Sequence, residues 1–263
     1  MTADADRPRV ALVTGGGRGI GRAVAQTLAA DGVHVAIAGR GREALDDAVA
    51  RIRSAGGTAT AHGCDVAHEG DVQQLFADVL ATHGRLDILV NNAAIEGPTT
   101  PLETIATSDW DHVIAVNVRG AFLATRHAAA HMTARGSGHI VFLSALGGGL
   151  RAYPLRLPYA VSKAAVLALM RTTATELRPR GVHVNAVTPG PVEGERLDRV
   201  FARRAKQLDT TPAVVAQQLA DRAPAGGFPD EAAVARLVAL LCTPAFDYVV
   251  GQSLNVTGGI ELA

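Results

Sequence analysis

Cysteine, lysine and long apolar runs are what this sequence has little of. Two cysteines, Cys64 and Cys242, occur in 263 residues, too few for a disulfide framework, and the opening Met-Thr-Ala-Asp-Ala-Asp-Arg-Pro-Arg has no apolar core of the kind a secretory signal carries. A cytoplasmic location is the resulting expectation. No apolar run nears the roughly 18 residues that a membrane-spanning helix needs. The stretch from Ile140 to Leu150 is interrupted by Ser144 and three glycines. Neither sign of charge is in excess, with 25 Lys and Arg against 25 Asp and Glu, so a general attraction for nucleic acid or an anionic membrane has no source. Of the 25 cations only Lys163 and Lys206 are lysine, which singles both out as places where a compact ammonium, whose pKa moves readily, has a use.

What is present is a repeating unit: a short β-branched run, a turn, then a helical stretch. Strand-like runs are Val10–Val13, Val33–Ala38, Thr58–His62, Ile88–Val90, His139–Leu143, Val182–Val187 and Ser253–Val256. Between them the apolar period is helical near Ile20–Ala30, Arg42–Ala55, Asp71–Thr82, Ser108–Ala134, Tyr159–Arg178 and Glu231–Leu241. That alternation predicts a doubly wound α/β fold, a parallel sheet with helices on both faces. Residues 1–8 read as a flexible N-terminus and 9–263 as one domain, with no Pro- or Gly-rich linker to divide it. The Arg-rich stretch from about Glu193 to Pro229 breaks the rhythm and is expected to form a substrate lid at the carboxyl edge of the sheet.

Two motifs carry chemistry. Thr14-Gly15-Gly16-Gly17-Arg18-Gly19-Ile20-Gly21 follows the first strand and opens the first helix, where free N–H groups and the helix dipole favour a phosphate. Its Gly-x-x-x-Gly-x-Gly spacing differs from Gly-x-Gly-x-x-Gly. In Tyr159-Ala-Val-Ser-Lys163 the two ends lie four residues apart on one helix face. A neighbouring ammonium favours the phenolate, so Tyr159 is a candidate general acid/base.

These residues resemble the short-chain dehydrogenase/reductase family, and the likeness runs from Val10 to Gly259. Thr14 to Gly21 is similar to its cofactor loop, Asn91-Asn92-Ala93-Ala94 to its Asn-Asn-Ala-Gly motif, and Asn117 to its helix asparagine. Ser144 at the end of the fifth strand, the Tyr159/Lys163 pair and Pro189-Gly190 after the sixth complete the set. The resemblance implies a seven-stranded parallel Rossmann-type sheet and hydride transfer between a nicotinamide dinucleotide and a ketone or secondary alcohol. It implies catalytic roles for Asn117, Ser144, Tyr159 and Lys163. It implies cofactor contacts from Gly15, Gly17, Arg18, Gly19, Ile20, Gly21, Arg40, Asp65, Val66, Asn92, Tyr159, Lys163, Pro189, Gly190 and Val192. A homotetramer, built partly from the helices that hold Asn117 and Tyr159, is the family expectation. Ala94 replaces the last glycine of its motif, and Pro191-Val192-Glu193-Gly194-Glu195 lacks the threonine that often follows Pro-Gly.

The second strand run ends in Gly39-Arg40-Gly41-Arg42 with no carboxylate, which favours NADP(H), Arg18 and Arg40 facing the 2′-phosphate, while leaving NAD(H) possible. A non-redox lyase or epimerase, or a cofactor-sensing binding protein, is the alternative on the same scaffold. No metal site is expected: His127 and His131 have helical spacing but no Glu at 128. Arg151, Tyr153 and Arg156 fall in the loop between Ser144 and Tyr159, where a substrate could meet them. Arg196, Arg199, Arg203 and Arg204 read as the solvated face of the lid.

Overall fold

The computed structural model describes residues 7–262; residues 1–6, most of the segment expected to be flexible, lie outside them, as does residue 263. The chain runs β1 (Val10–Thr14), α1 (Gly19–Ala30), β2 (His34–Gly39), α2 (Arg42–Ser54), β3 (Ala59–Gly63), α3 (Glu69–His83) and β4 (Ile88–Asn91). It continues through α4 (Thr107–Ile114), a π-helical turn (Ala115–Arg119), α5 (Gly120–Arg135), β5 (Gly138–Leu143) and a one-turn α6 (Leu146–Gly149). The last part is α7 (Leu157–Leu177), β6 (Val182–Pro189), α8 (Glu195–Gln207), α9 (Pro212–Ala220), α10 (Glu231–Leu240) and β7 (Ser253–Val256). The seven strands form one all-parallel sheet in the order β3-β2-β1-β4-β5-β6-β7.

The apolar runs explain the layers. Residues of β1 alternate between two cores: Val10 and Leu12 pack with Leu75 of α3, Leu123 of α5 and Met170 of α7. Ala11 and Val13 pack with Leu28 of α1, Ile52 of α2 and Val238 of α10. Both faces of the sheet are therefore covered, which is why its strands read as continuous apolar runs. Phe201 and Ala205 of α8 with Val215 of α9 form a small third cluster of their own, so the 193–229 segment packs as two helices. No helix among the described residues is long and apolar enough to cross a membrane.

One element departs from its expected form. The period over 108–134 predicts an unbroken α-helix, but the helix is interrupted by the π turn at Ala115–Arg119, which buries Val116 and Asn117. An extra residue per turn rotates the side chains that follow, a distortion that α periodicity does not signal and that often marks functional positions.

Candidate active site

Strand order reverses between β1 and β4, and in open parallel sheets the crevice beyond the carboxyl ends at such a point binds ligands. There Gly15 takes φ +66° while its N–H donates to the Ala38 carbonyl (2.7 Å), turning the chain away from β1. Gly19 (φ +59°) turns it again into α1. A Cβ on Gly21 would lie 2.2 Å from the Gly15 carbonyl oxygen, so only glycine lets the helix start against the loop. Asn92 Nδ2 donates to the carbonyls of Thr14 and Gly15 (3.0 Å each), and Thr14 Oγ1 accepts from the N–H groups of Asn92 and Ala93 (3.1 Å each). The cradle is thus fastened to the end of β4.

Among the described residues no side chain caps the start of α1, which leaves its first N–H groups for a diphosphate. Arg18 stands at the N-cap with an exposed side chain, and Arg40 is exposed at the end of β2, 3.8 Å from the Asp65 carboxylate. Asp65 Oδ1 also accepts from the Ala67 N–H, and Val66 is buried against Gly120, where a Cβ would come within 2.7 Å of it. The uncapped amides, the glycine-only contacts and the exposed guanidinium of Arg18 fit a dinucleotide.

Further along the crevice, α7 presents Tyr159 and Lys163 from successive turns, both buried (6% and 4% exposed). Lys163 Nζ donates to the Leu143 carbonyl (2.7 Å) and lies 5.8 Å from the centre of the Tyr159 ring. Ser144, just beyond β5, donates its hydroxyl to the Lys163 carbonyl (3.0 Å). Asn117 is held on both sides of Ile95, accepting from its N–H (2.8 Å) and donating to its carbonyl (3.0 Å), and it also donates to Ser162 Oγ (2.9 Å). Ser162 in turn donates to the Tyr159 carbonyl (2.7 Å), so the π turn is tied to the start of α7. Ser144, Tyr159, Lys163, Pro189, Gly190, Val192, Asn92 and Ile20 line one cavity of about 570 Å³.

Arg196 does more than the sequence reading foresaw. Its side chain is half-exposed, as expected on the solvated face of the lid, but it also lies over the Tyr159 ring (5.5 Å to the centre) and pairs with Glu96 (2.7 Å). Arg203 also turns inward to Glu96 (2.8 Å), and Arg156, only 5% exposed, reaches the same carboxylate at 3.6 Å. The reason is a partner about 100 residues away, invisible to helical periodicity. Burial alone would push the Tyr159 phenol up, but Arg196, Lys163 and Arg156 outweigh it and hold the phenol below its ordinary value. Burial pushes the Lys163 ammonium down, Tyr159 opposing and Arg196 adding to the effect. Burial works against the Glu96 carboxylate too, yet its three arginines keep it below the usual range. Replacing Arg196 by Gln removes a charge that favours the phenolate, so Tyr159 should titrate at higher pH than in the wild type. The tyrosinate absorbance, with Tyr159→Phe as reference, measures this; an unchanged or lower midpoint overturns it.

The other candidates have quieter surroundings. His131 Nε2 accepts from the Leu86 N–H (3.2 Å) and His127 stacks on Phe76 (5.3 Å), so the two serve packing. Burial raises the Cys64 thiol to about 12, which leaves it unreactive. Arg151 bonds the Glu261 carbonyl, and Tyr153 meets Tyr159 edge to face at 6.3 Å. His139, His183 and Asp247 bring ligand-type atoms within 4.8 Å of one another at the opposite end of the sheet, away from this cavity.

Known proteins share this architecture. A family model described as enoyl-(acyl carrier protein) reductase matches residues 15–261. Short-chain reductase protein NovJ from Streptomyces niveus is 36% identical over 252 residues, 95% of this chain and 93% of the relative. Among solved structures, an actinorhodin polyketide ketoreductase with NADPH superposes with a TM-score of 0.93 at 32% identity, covering 97% of this chain and 98% of that one. A NAD⁺-bound xylitol dehydrogenase gives 0.91 at 33%, covering 95% and 98%. Matches that span almost the whole chain, on a seven-stranded parallel sheet with its glycine cradle at the switch point, establish that the protein belongs to the short-chain dehydrogenase/reductase family of oxidoreductases.

Proposed function

We propose that the protein is an NADP(H)-dependent oxidoreductase that interconverts a ketone and a secondary alcohol, with Tyr159 as general acid/base. The observation that carries this reading is the meeting of Tyr159, Lys163 and Ser144 in one cavity that Ile20, at the end of the glycine cradle, also lines. A bound nicotinamide dinucleotide supplies the hydride in reduction and accepts it in oxidation. The backbone amides of Gly17, Gly19, Ile20 and Gly21 hold its diphosphate, Arg18 and Arg40 the 2′-phosphate, and Asp65 and Val66 the adenine. Gly15 shapes the loop, Asn92 braces it, and Pro189, Gly190 and Val192 border the nicotinamide.

At the reacting end Ser144 turns its hydroxyl from the Lys163 carbonyl to the substrate oxygen, and Tyr159 gives that oxygen its proton in reduction or removes it in oxidation. Lys163 uses the N–H groups left beside its bond to Leu143 for the ribose hydroxyls, and its charge keeps the phenol easily deprotonated. Asn117, fixed at Ile95, positions the water chain that refills Lys163. Helices α8 and α9 act as the lid that excludes bulk water. The relatives divide on cofactor, one solved with NADPH and one with NAD⁺, so preference rests on this chain's own residues. Arg42 is taken by Asp46 (2.9 Å), which leaves Arg40 and Arg18 for the phosphate.

The test is to follow the nicotinamide absorbance with NADPH across a panel of ketones, and with NADP⁺ across the alcohols. Turnover of at least one ketone–alcohol pair in both directions is expected; tight cofactor binding with no turnover on any pair refutes the reading.

A further inference from the structure

Charge along the cavity wall is one-sided. Arg151, Arg156, Lys163, Arg196, Arg204 and Arg222 line it, against the single carboxylate of Glu96. Glu96 is already shared among Arg156, Arg196 and Arg203, Lys163 is held at Leu143, and Arg151 bonds the Glu261 carbonyl. Arg204 and Arg222 remain. Their side chains are exposed at the cavity wall, and among the described residues neither has a hydrogen bond or an ion pair.

The position of Arg204 relative to the reacting end is set by the helix. Arg196, Val200 and Arg204 recur every four residues and all reach the cavity, so Arg204 lies two turns beyond Arg196, about 12 Å along the α8 axis. Between Arg196 and Arg204 the wall is mostly apolar: Leu197, Val200 and Phe201 come from α8, and Val215 and Leu219 from α9, with Gln218 the polar member. The cavity thus has a proton-transferring end at Tyr159 and an apolar stretch leading to Arg204, with Arg222, two residues past α9, on the same wall. Single exposed arginines on a surface need no explanation. Two unpaired ones on the wall of a cavity that already holds an uncompensated excess of positive charge raise its potential and select for a negative ligand.

We propose that the substrate is an apolar ketone or alcohol bearing an anionic group, carboxylate or phosphate, which Arg204 or Arg222 holds at the cavity wall while the carbonyl reaches Tyr159. This rests on the ketone–alcohol reading for the reacting end and adds the chemical class of the molecule bound there. The anion takes no part in the reaction. It fixes the orientation of the chain, and guanidinium groups suit both oxyanions because their paired N–H donors match two acceptor oxygens.

A series of straight-chain methyl-ketone carboxylates, their methyl esters and the corresponding phosphate monoesters, assayed with NADPH, tests it. The acids or the phosphates should exceed the esters in kcat/KM, with an optimum at an intermediate chain length and a preference that weakens as salt is added. Which anion leads separates the two sources. Arg204→Ala/Arg222→Ala should lower kcat/KM for the preferred anion by roughly 10- to 100-fold, mostly through KM, bringing it toward the ester, and the double Lys variant should restore part of it. Equal rates for anion and ester in the wild type, or a parallel loss of both in the double Ala variant, overturn the proposal. If no ketone of the series turns over, the broader ketone and alcohol panel judges the reductase reading. Calorimetric binding of the same acid, phosphate and ester to the NADPH-loaded Tyr159→Phe protein then decides the anion site, tighter binding of an anion supporting it and equal binding refuting it.

Discussion

Tyr159→Phe should abolish measurable turnover while leaving the protein folded and its cofactor bound. The substitution removes one hydroxyl and keeps the ring, so the edge-to-face contact with Tyr153 and the packing of Arg156 and Arg196 over the ring, each 5.5 Å from its centre, persist. The lost oxygen is the titratable group on which the Lys163 and Arg196 charges act at the reacting end of the cavity. General acid/base catalysis is worth about 10²- to 10⁴-fold, and kcat/KM should fall by at least that range. Cofactor affinity, read by fluorescence titration, should change little, because the phosphate cradle and Lys163 are untouched. The pH dependence of the residual rate should also lose the step that the lowered phenol provides: in oxidation the wild-type rate rises with pH as the phenolate forms, and the variant has no phenolate to form. A loss below about tenfold, with the pH step intact, would assign the proton to another group.

Much of this arrangement is legible in the sequence because its determinants are local. Alternation of β-branched runs with helical periods reports the parallel sheet, and the glycines of 15–21 report a turn that no Cβ could make, since at Gly21 it would meet the Gly15 carbonyl. The Tyr159/Lys163 pair is one helical turn apart and needs no tertiary information to be placed on one face. What escaped is long-range. Glu96 gathers Arg156, Arg196 and Arg203 from 60 to 107 residues away, and an Arg-rich helix with no visible partner reads as solvated. The π turn at Asn117 escaped for a different reason: its residues satisfy an α period nearly as well, and the reward for widening the turn is the bonding of Asn117 to Ile95 and Ser162, which only the packed structure supplies.

Inverting the cofactor preference is the second large effect expected. β2 ends at Gly39, half-buried beside the open crevice, with the nearest contact for an added Cβ a side-chain methyl of Leu45 at 3.7 Å. An aspartate therefore fits at this position without displacing backbone. A carboxylate there accepts from a ribose 2′-hydroxyl and repels a 2′-phosphate. Arg40→Ala removes the guanidinium on the other side of the comparison and frees Asp65, now 3.8 Å from it. Arg40 is exposed and its pairing with Asp65 is loose, so the fold should lose little, since exposed ion pairs contribute about 0–1 kcal/mol. In Gly39→Asp/Arg40→Ala the ratio of kcat/KM for NADPH over NADH should fall by roughly 10²-fold or more, because one charge-assisted contact is lost and one like-charge contact is gained, each worth about 1.5–3 kcal/mol. Arg18→Ala alone should shift the ratio in the same direction by less, as Arg40 remains. Wild-type efficiency with NADH equal to or above that with NADPH, or a double variant whose ratio does not move, would mean that Arg18 and Arg40 are solvated charges and that the site grips the dinucleotide through its diphosphate alone.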